Sequence, residues 1–315
     1  AVFSTEARQR SERRPTEDRM NSSNRDLTAL VTCSYAPDLH RCTRLCRSID
    51  RWVASDVQHV VIVPARDFAQ FRHLDRGRRS VVTVEDTVPG SFRQLPMSER
   101  LWLDHAGWPV RGWIMQHVTK LSANFATDRE VIVFADSDLQ FSRPLDPQKL
   151  LRNGALRLHR IPGAKDDGRH LRWHRRAGAL LGLPRRYCGA DYVGQLISWR
   201  RSNLEHMQQH MQAISGRPWY RGVARSLHVS EYVLYGAFVD GVLGPQHNGH
   251  FGTAEDLCHC CWFRDEALAL ALGSAPLSED SVAVLLQSNL GLSQAAEAEI
   301  LTRIQPRTGL CAGSA

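Results

Sequence analysis

Lysine is almost missing from this 315-residue chain. Of its 40 basic residues only Lys120, Lys149 and Lys165 are lysines, and the other 37 are arginines. Against that background each lysine carries information, because it supplies a compact point charge that arginine does not. Also missing is any run near the ~20 apolar residues that span a bilayer, so contact with a membrane is expected to be peripheral at most. No signal peptide is visible. The eight cysteines (Cys33, Cys42, Cys46, Cys188, Cys258, Cys260, Cys261 and Cys311) are unevenly spaced, and reduced thiols in a cytoplasmic protein are the expectation. There is no G-x-x-x-x-G-K-[ST], no G-x-G-x-x-G after a strand and no G-x-S-x-G elbow, which disfavours P-loop, dinucleotide-binding and α/β-hydrolase readings.

What is present is a globular composition, 43% hydrophobic and 23% charged, with enough apolar material for a sizeable core. The net charge of +7 is localised. Residues 151–226 hold 15 Arg or Lys against four acids, a local balance of +11, so the rest of the chain is net acidic. A basic segment favours anionic partners.

Residues 1–26 are polar and without period, and read as a flexible arm. Leu27–Cys33 and Val57–Val63 are short apolar runs that read as buried strands, and Ser80–Val84 as a third. Between the first two, Leu39, Cys42, Leu45, Cys46, Ile49 and Val53 form a helical core stripe, so Cys42 and Cys46 read as buried thiols rather than ligands. Residues 85–110 look irregular. A helix is expected over Arg111–Ala126, with Trp113, Ile114, Val118, Leu121 and Phe125 on its apolar face and Gln116, Lys120 and Asn124 on its polar one. Further helices are expected at Asn203–Ile214, Glu231–Asp240 and Ser293–Ile304, with strands at Tyr192–Ile197 and Val282–Gln287. Residues 243–262 read as loop. The order of elements implies an α/β fold with a doubly wound, mostly parallel sheet flanked by helices in a single large domain, residues 27–305. Within it, 27–150 form a first half, 151–262 a basic second half and 263–305 a C-terminal elaboration, followed by a tail, 306–315.

The strongest chemical signal is EVIVFADSDLQF. Asp136 and Asp138 stand just past a buried strand, where open α/β sheets bind ligands. Hard divalent cations take one or two carboxylates plus substrate phosphates, so Asp136-Ser137-Asp138 is a metal–diphosphate platform for Mn²⁺ or Mg²⁺. The competing reading is a turn in which these side chains bond their own backbone.

The chain resembles glycosyltransferases of the GT-A type and, more closely, a bacterial family of domains without assigned substrate. The resembling stretches are ALVTCSYAPD (29–38), HVVIVPARD (59–67), GWIMQHVTKL (112–121), VIVFADSDLQFSRPL (131–145), DYVGQLISWRR (191–201), SEYVLYGAFV (230–239), LCHCCW (257–262) and LLQSNL (285–290). The resemblance implies a GT-A-like fold, a nucleotide-sugar donor and a divalent metal. It places Thr32, Ser34 and Tyr35 at the nucleotide and Asp67 at ribose or base; ordinary loop capping is the plainer alternative for each. Gln116, Lys120 and Ser137 join the donor contacts, with Lys120 at the phosphates. Glu231 or Asp191 would serve as general base or orient the acceptor, though Ser230-Glu231 also reads as an N-cap and first helical turn. His259, with His250 as second choice, would complete the metal site. Structural zinc at Cys258-x-Cys260-Cys261 fits poorly with paired-ligand spacing.

The function expected is therefore metal-dependent sugar transfer from a nucleotide-sugar to an acceptor hydroxyl. The acceptor is expected to be anionic, a glycan or a lipid-linked phosphate, met through Arg172, Arg175 and Arg176. Two alternatives stand beside it. One is a nucleic-acid-binding protein that uses the arginines and aromatics of 151–226, against which stands the lack of any reader motif. The other is a catalytically silent GT-A-like binding subunit.

Overall fold

The computed structural model describes residues 27–163, 168–275 and 277–304. The expected arm and tail, and Lys165 in the basic segment, lie outside these. In chain order the elements that build the site are strand β1 (Thr28–Cys33), helix α1 (Leu39–Trp52), β2 (Gln58–Val63), β3 (Arg79–Thr83), α2 (Gly112–Lys120), β4 (Val131–Phe134), β5 (Leu139–Phe141), β6 (Ala155–His159), α3 (Gly168–Leu181), β7 (Ile197–Arg200), α4 (Arg201–Ser215), α5 (Glu231–Phe238), β8 (His250–Thr253), β9 (Cys258–Cys261) and β10 (Ala283–Leu286).

The fold is mixed α/β around one central sheet of order β7-β4-β1-β2-β3. β1 runs parallel to both β2 and β4, and β2 parallel to β3; only β7 is antiparallel, against β4. Side chains alternate across a strand with period two, and both faces are covered. Val31, Ile62, Ile132, Phe134 and Trp199 pack with α2, α4 and α5 on one face. Leu30, Val131 and Val133 meet α1 and β5 on the other. Burial on both faces explains why these strands read as continuous apolar runs. Cys42 and Cys46 are fully buried on α1, as their spacing implied.

Several expectations change. Residues 85–110 carry a small antiparallel meander, Arg93–Gln94, Leu101–Leu103 and Pro109–Arg111. The helix expected to reach Ala126 stops at Lys120, and a 3₁₀ turn, Ala123–Phe125, follows. Trp113 and Phe125, expected in the core, are 45% and 55% exposed. Residues 243–262 contain β8 and β9 rather than loop alone. β9 pairs parallel with β10, which pairs antiparallel with β5, forming a second sheet beside the first. α3 lies in the first half of the basic segment, a stretch for which no helix was expected. Its Arg172 and Arg175 face outward and its histidines inward, an amphipathic pattern hidden by the number of charges.

Candidate active site

The carboxyl ends of β1, β2 and β4 open into a cleft of about 1690 Å³. β4 is buried at every residue, so its polar continuation, Asp136-Ser137-Asp138, emerges where the sheet ends, and all three residues line the cleft. The turn closes on Leu139 N donating to the Asp136 carbonyl at 3.0 Å. A second clamp comes from far along the chain: Ser288 N donates to Asp138 Oδ2 at 3.0 Å.

The cleft floor is a charged cluster of almost complete burial. Lys120 Nζ, at the last residue of α2, lies 2.8 Å from Asp136 Oδ1, 3.2 Å from Glu231 Oε1 and 2.8 Å from Tyr232 Oη. Glu231 Oε2 pairs with His117 Nδ1, and Gln195 Nε2 donates to Asp136 Oδ2 at 2.8 Å. Lys120 is 3% exposed and Glu231 2%. Burial works against the lysine's charge, but Asp136, Tyr232 and Glu231 around it raise its pKa well above the ordinary value. Burial also works against ionised Glu231; His117 and Lys120 outweigh it and hold the carboxyl at about 2. Asp138 behaves oppositely: burial first, then the neighbouring Asp136, push it up to about 7.

Local sequence accounts for these positions. Lys120, His117 and Trp113 stand at i, i−3 and i−7 on α2 and share one face. Ser230 caps α5, its hydroxyl accepting from Val233 N, which starts the helix so that Glu231 meets α2. Leu196, beside Gln195, has φ of 53°. A leucine in the left-handed region costs about 1–2 kcal/mol, and here that turn presents Gln195 to Asp136.

A model described as a family of unknown function, DUF6492, matches residues 27–306. The chain belongs to that family. No curated protein matches it. The cleft draws on residues from Cys33 to Leu290, so every residue of it lies inside the DUF6492 region.

Of the residues expected at the site, this DUF6492 domain brings Ser34, Tyr35, Gln116, Lys120, Asp136, Ser137, Asp138 and Glu231 to the cleft wall. Others lie elsewhere. Thr32 is fully buried within the sheet, bonded to His59 Nε2 at 3.1 Å. Asp67 is buried and ties two loops together, accepting from Ala36 N at 2.9 Å; it is a strut between the ends of β1 and β2. Asp191 is 1% exposed, accepts from Val193 N at 3.1 Å and stands 3.6 Å from His170 Nδ1. It therefore supports the cleft wall through His170 without facing the cleft.

Neither expected histidine joins the two aspartates. His259 sits inside β9 opposite Val284 of β10 and is absent from the cleft lining. His250 is bonded to Tyr235 Oη at 2.9 Å and to the Leu156 carbonyl at 3.0 Å, and burial, with Arg200 nearby, lowers it to about 4. Among the described residues no group of three His, Cys, Asp or Glu is arranged to hold a metal.

Sequence reasoning passed over His117, Gln195, Tyr232 and His170, and met Trp173 only among the aromatics of the nucleic-acid alternative. For His117 and Tyr232 the signal was adjacency to Gln116 and Glu231. Gln195 had none, since the backbone turn at Leu196 that aims it is not encoded by a glycine. Of the three arginines expected at the acceptor only Arg172 lines the cleft. Arg176 turns away, donating to Ser226 Oγ at 2.6 Å and the Gly222 carbonyl at 2.8 Å.

Proposed function

We propose that this DUF6492 protein is a divalent-metal-dependent glycosyltransferase that moves a sugar from a nucleotide-sugar donor to an acceptor hydroxyl. The observation that carries the reading is the emergence of Asp136 and Asp138 from a buried parallel strand into a cleft that also holds a buried, multiply paired lysine. Ligands bind at the carboxyl ends of strands in open α/β sheets, and carboxylates with a lysine are the groups that receive a metal-bound diphosphate.

The residues present fit such a cation. Asp138 accepts at Oδ2 from Ser288 N, and its carboxyl is pushed up to about 7 by burial and Asp136; a cation at that carboxylate would offset both causes. Asp136 has both oxygens engaged, by Lys120 and Gln195, so Asp138 would be the principal ligand. Magnesium-type sites need only one or two carboxylates when phosphate oxygens and water complete the shell, so neither His259 nor His250 is required. When bound, the metal supplies charge neutralisation for the departing nucleoside diphosphate.

The chain's own residues do the rest. Ser34, Tyr35 and Pro64 border the nucleotide end of the cleft. Lys120 offsets negative charge on the phosphates from the floor. Glu231 is a poor proton acceptor, with its carboxyl at about 2 and its oxygens committed to His117 and Lys120. It orients His117, which lines the cleft beside it, and His117 takes the proton from the attacking hydroxyl as general base.

Thermal denaturation with a panel of nucleotide sugars, with and without Mn²⁺, tests the reading. One nucleotide class is expected to raise Tm only when Mn²⁺ is present, and Asp138→Asn is expected to abolish that shift. No response to any member of the panel overturns the proposal.

A further inference from the structure

The mouth of the cleft carries a second arrangement that the donor chemistry does not use. Trp113 stands at the start of α2, seven residues before Lys120, and is 45% exposed. At a rise of 1.5 Å per residue the two lie about 10 Å apart along the helix, so Trp113 sits at the rim while Lys120 sits on the floor. The Trp113 ring lies 6.5 Å from Trp173 of α3 with an interplanar angle of 36°. At that spacing the two rings already contact one another. They form adjoining panels of one wall and leave no slot between them. His170 packs on Trp173 at 4.8 Å, and His117 packs edge-on against Trp113 at 4.3 Å. Arg172 lines the same wall, exposed, and makes no ion pair with any described residue.

Two indoles joined in one wall at the mouth of the cleft, beside a guanidinium that pairs with no described residue, are groups left available to a ligand. The combination matches one chemistry well. A pyranose ring presents a face of C–H groups that lies flat on an indole, and an anionic substituent on that ring meets the guanidinium. A single-stranded nucleic acid also stacks on aromatic rings. The wall offers it only one two-ring panel, however, and the floor beyond holds Asp136, Asp138 and Glu231, which repel a polyphosphate backbone that no metal screens.

We infer that the Trp113–Trp173 wall with Arg172 is the acceptor subsite, and that its ligand is a sugar ring bearing a phosphate or carboxylate. This rests on the transferase reading for the word acceptor, but the binding site stands on its own geometry. An acceptor ring on Trp113 lies over His117, between the rim and the floor. That is the position from which a hydroxyl reaches a donor sugar held at Asp138 and Lys120. In the transfer, the acceptor oxygen forms a bond to the anomeric carbon and gives its proton to His117. The bond from that carbon to the phosphate oxygen breaks, and its electron pair leaves with the nucleoside diphosphate.

Saturation-transfer NMR on the full chain tests the subsite with defined probes: glucose 1-phosphate and glucuronate as anionic sugars, methyl glucoside as a neutral sugar, inorganic phosphate as an anion without a ring, and a dT oligonucleotide. The expected result is binding of at least one anionic sugar about tenfold or more tighter than methyl glucoside or phosphate, a difference of about 1.4 kcal/mol. Trp113→Ala and Arg172→Ala are each expected to weaken it at least about tenfold. Both positions are exposed enough to replace without loss of the fold, and near-wild-type Tm for Arg172→Ala confirms this. Equal binding of neutral and anionic sugars, retained affinity in both variants, or preference for the oligonucleotide overturns the inference. A parallel titration with nucleotides and Mn²⁺ scores the donor site separately. Anionic-sugar binding without any nucleotide response keeps the subsite and removes the transferase reading. A nucleotide response without anionic-sugar binding does the reverse.

Discussion

Lys120 and Lys149 show how differently one residue type acts in two settings. Lys149 pairs with Asp280 at 3.8 Å, with both side chains around half exposed. Exposed pairs of this kind contribute about 0–1 kcal/mol, and Lys149→Met is expected to change stability by no more than about 0.5 kcal/mol. Lys120→Met removes the cation that Asp136 and Glu231 share, leaving buried carboxylates uncompensated. Breaking a buried pair from one side costs about 3–5 kcal/mol, and urea denaturation of the two variants reads the contrast directly. His250 gives a pH-dependent case. Its pKa falls from 6.5 to about 4 on folding, so between those values the unfolded chain binds a proton that the native chain does not. Its contribution is therefore full above pH 6.5 and lost as pH falls toward 4. Between pH 7 and pH 5 the wild type is expected to lose about 2 kcal/mol more than His250→Gln. Urea midpoints at the two pH values measure it; parallel losses in both proteins refute the assignment. His59, also lowered by burial, is unchanged in both and cancels.

At the scale of elements, α5 is placed by one close approach. A Cβ at Gly236 would lie 2.3 Å from the Tyr192 ring, so α5 packs directly on the segment before β7. Gly236→Ala is expected to destabilise by about 1–3 kcal/mol through overpacking, seen as a lower Tm. It should also weaken donor and acceptor binding, because α5 carries Glu231. β1, β2 and β4 were legible in the sequence because strands buried on both faces read as unbroken apolar runs. α3 was not, since Arg169, Arg172, Arg175 and Arg176 obscure the buried face of His170, His174, Ala177 and Leu181. β8 and β9 were missed for a related reason: HFGT and CHCC are too short and too mixed to alternate, and their pairing comes from β6 and β10, far away in sequence.

The charge pattern of the whole molecule changes meaning once the fold is known. Much of the +11 segment is spent on internal ties. Arg157 bonds to Glu255, Arg160 Nε to Asp240 at 2.7 Å, Arg200 to the Gly249 and Gly154 carbonyls, and Arg201 to Glu205 at 2.8 Å. Among the described residues of that segment, Arg169 and Arg172 are the arginines that line the cleft. No helix among the described residues is long and apolar enough to cross a membrane. The C-terminal helix Gln294–Arg303 is locked to α1 by Glu297, which is 1% exposed and accepts from Arg41 and Arg44 at 2.7 and 2.9 Å. Because the cleft draws on residues from Cys33 to Leu290, a ligand there stabilises the fold as one unit. Nucleotide at 100 times its Kd, with Mn²⁺, is expected to add about 2.7 kcal/mol. A Tm that rises with nucleotide concentration confirms the linkage.

Sequence by itself determined the parallel strands, the burial of Cys42 and Cys46, and the placement of Asp136 and Asp138 past a strand end. Each of these follows from local pattern, since burial and strand periodicity act over a few residues. Tertiary structure alone decided which charged groups meet. Lys120, Glu231 and Asp136 are separated by up to 111 positions, and Lys120 comes within 2.8 Å of Asp136 and 3.2 Å of Glu231 because α2, α5 and the end of β4 pack together. It also decided that His259, two strands away in the neighbouring sheet, stays apart from the aspartates, and that Trp113 faces the cleft and not the core. Helical spacing puts an indole on a face; only the packing of neighbouring helices decides whether that face is covered.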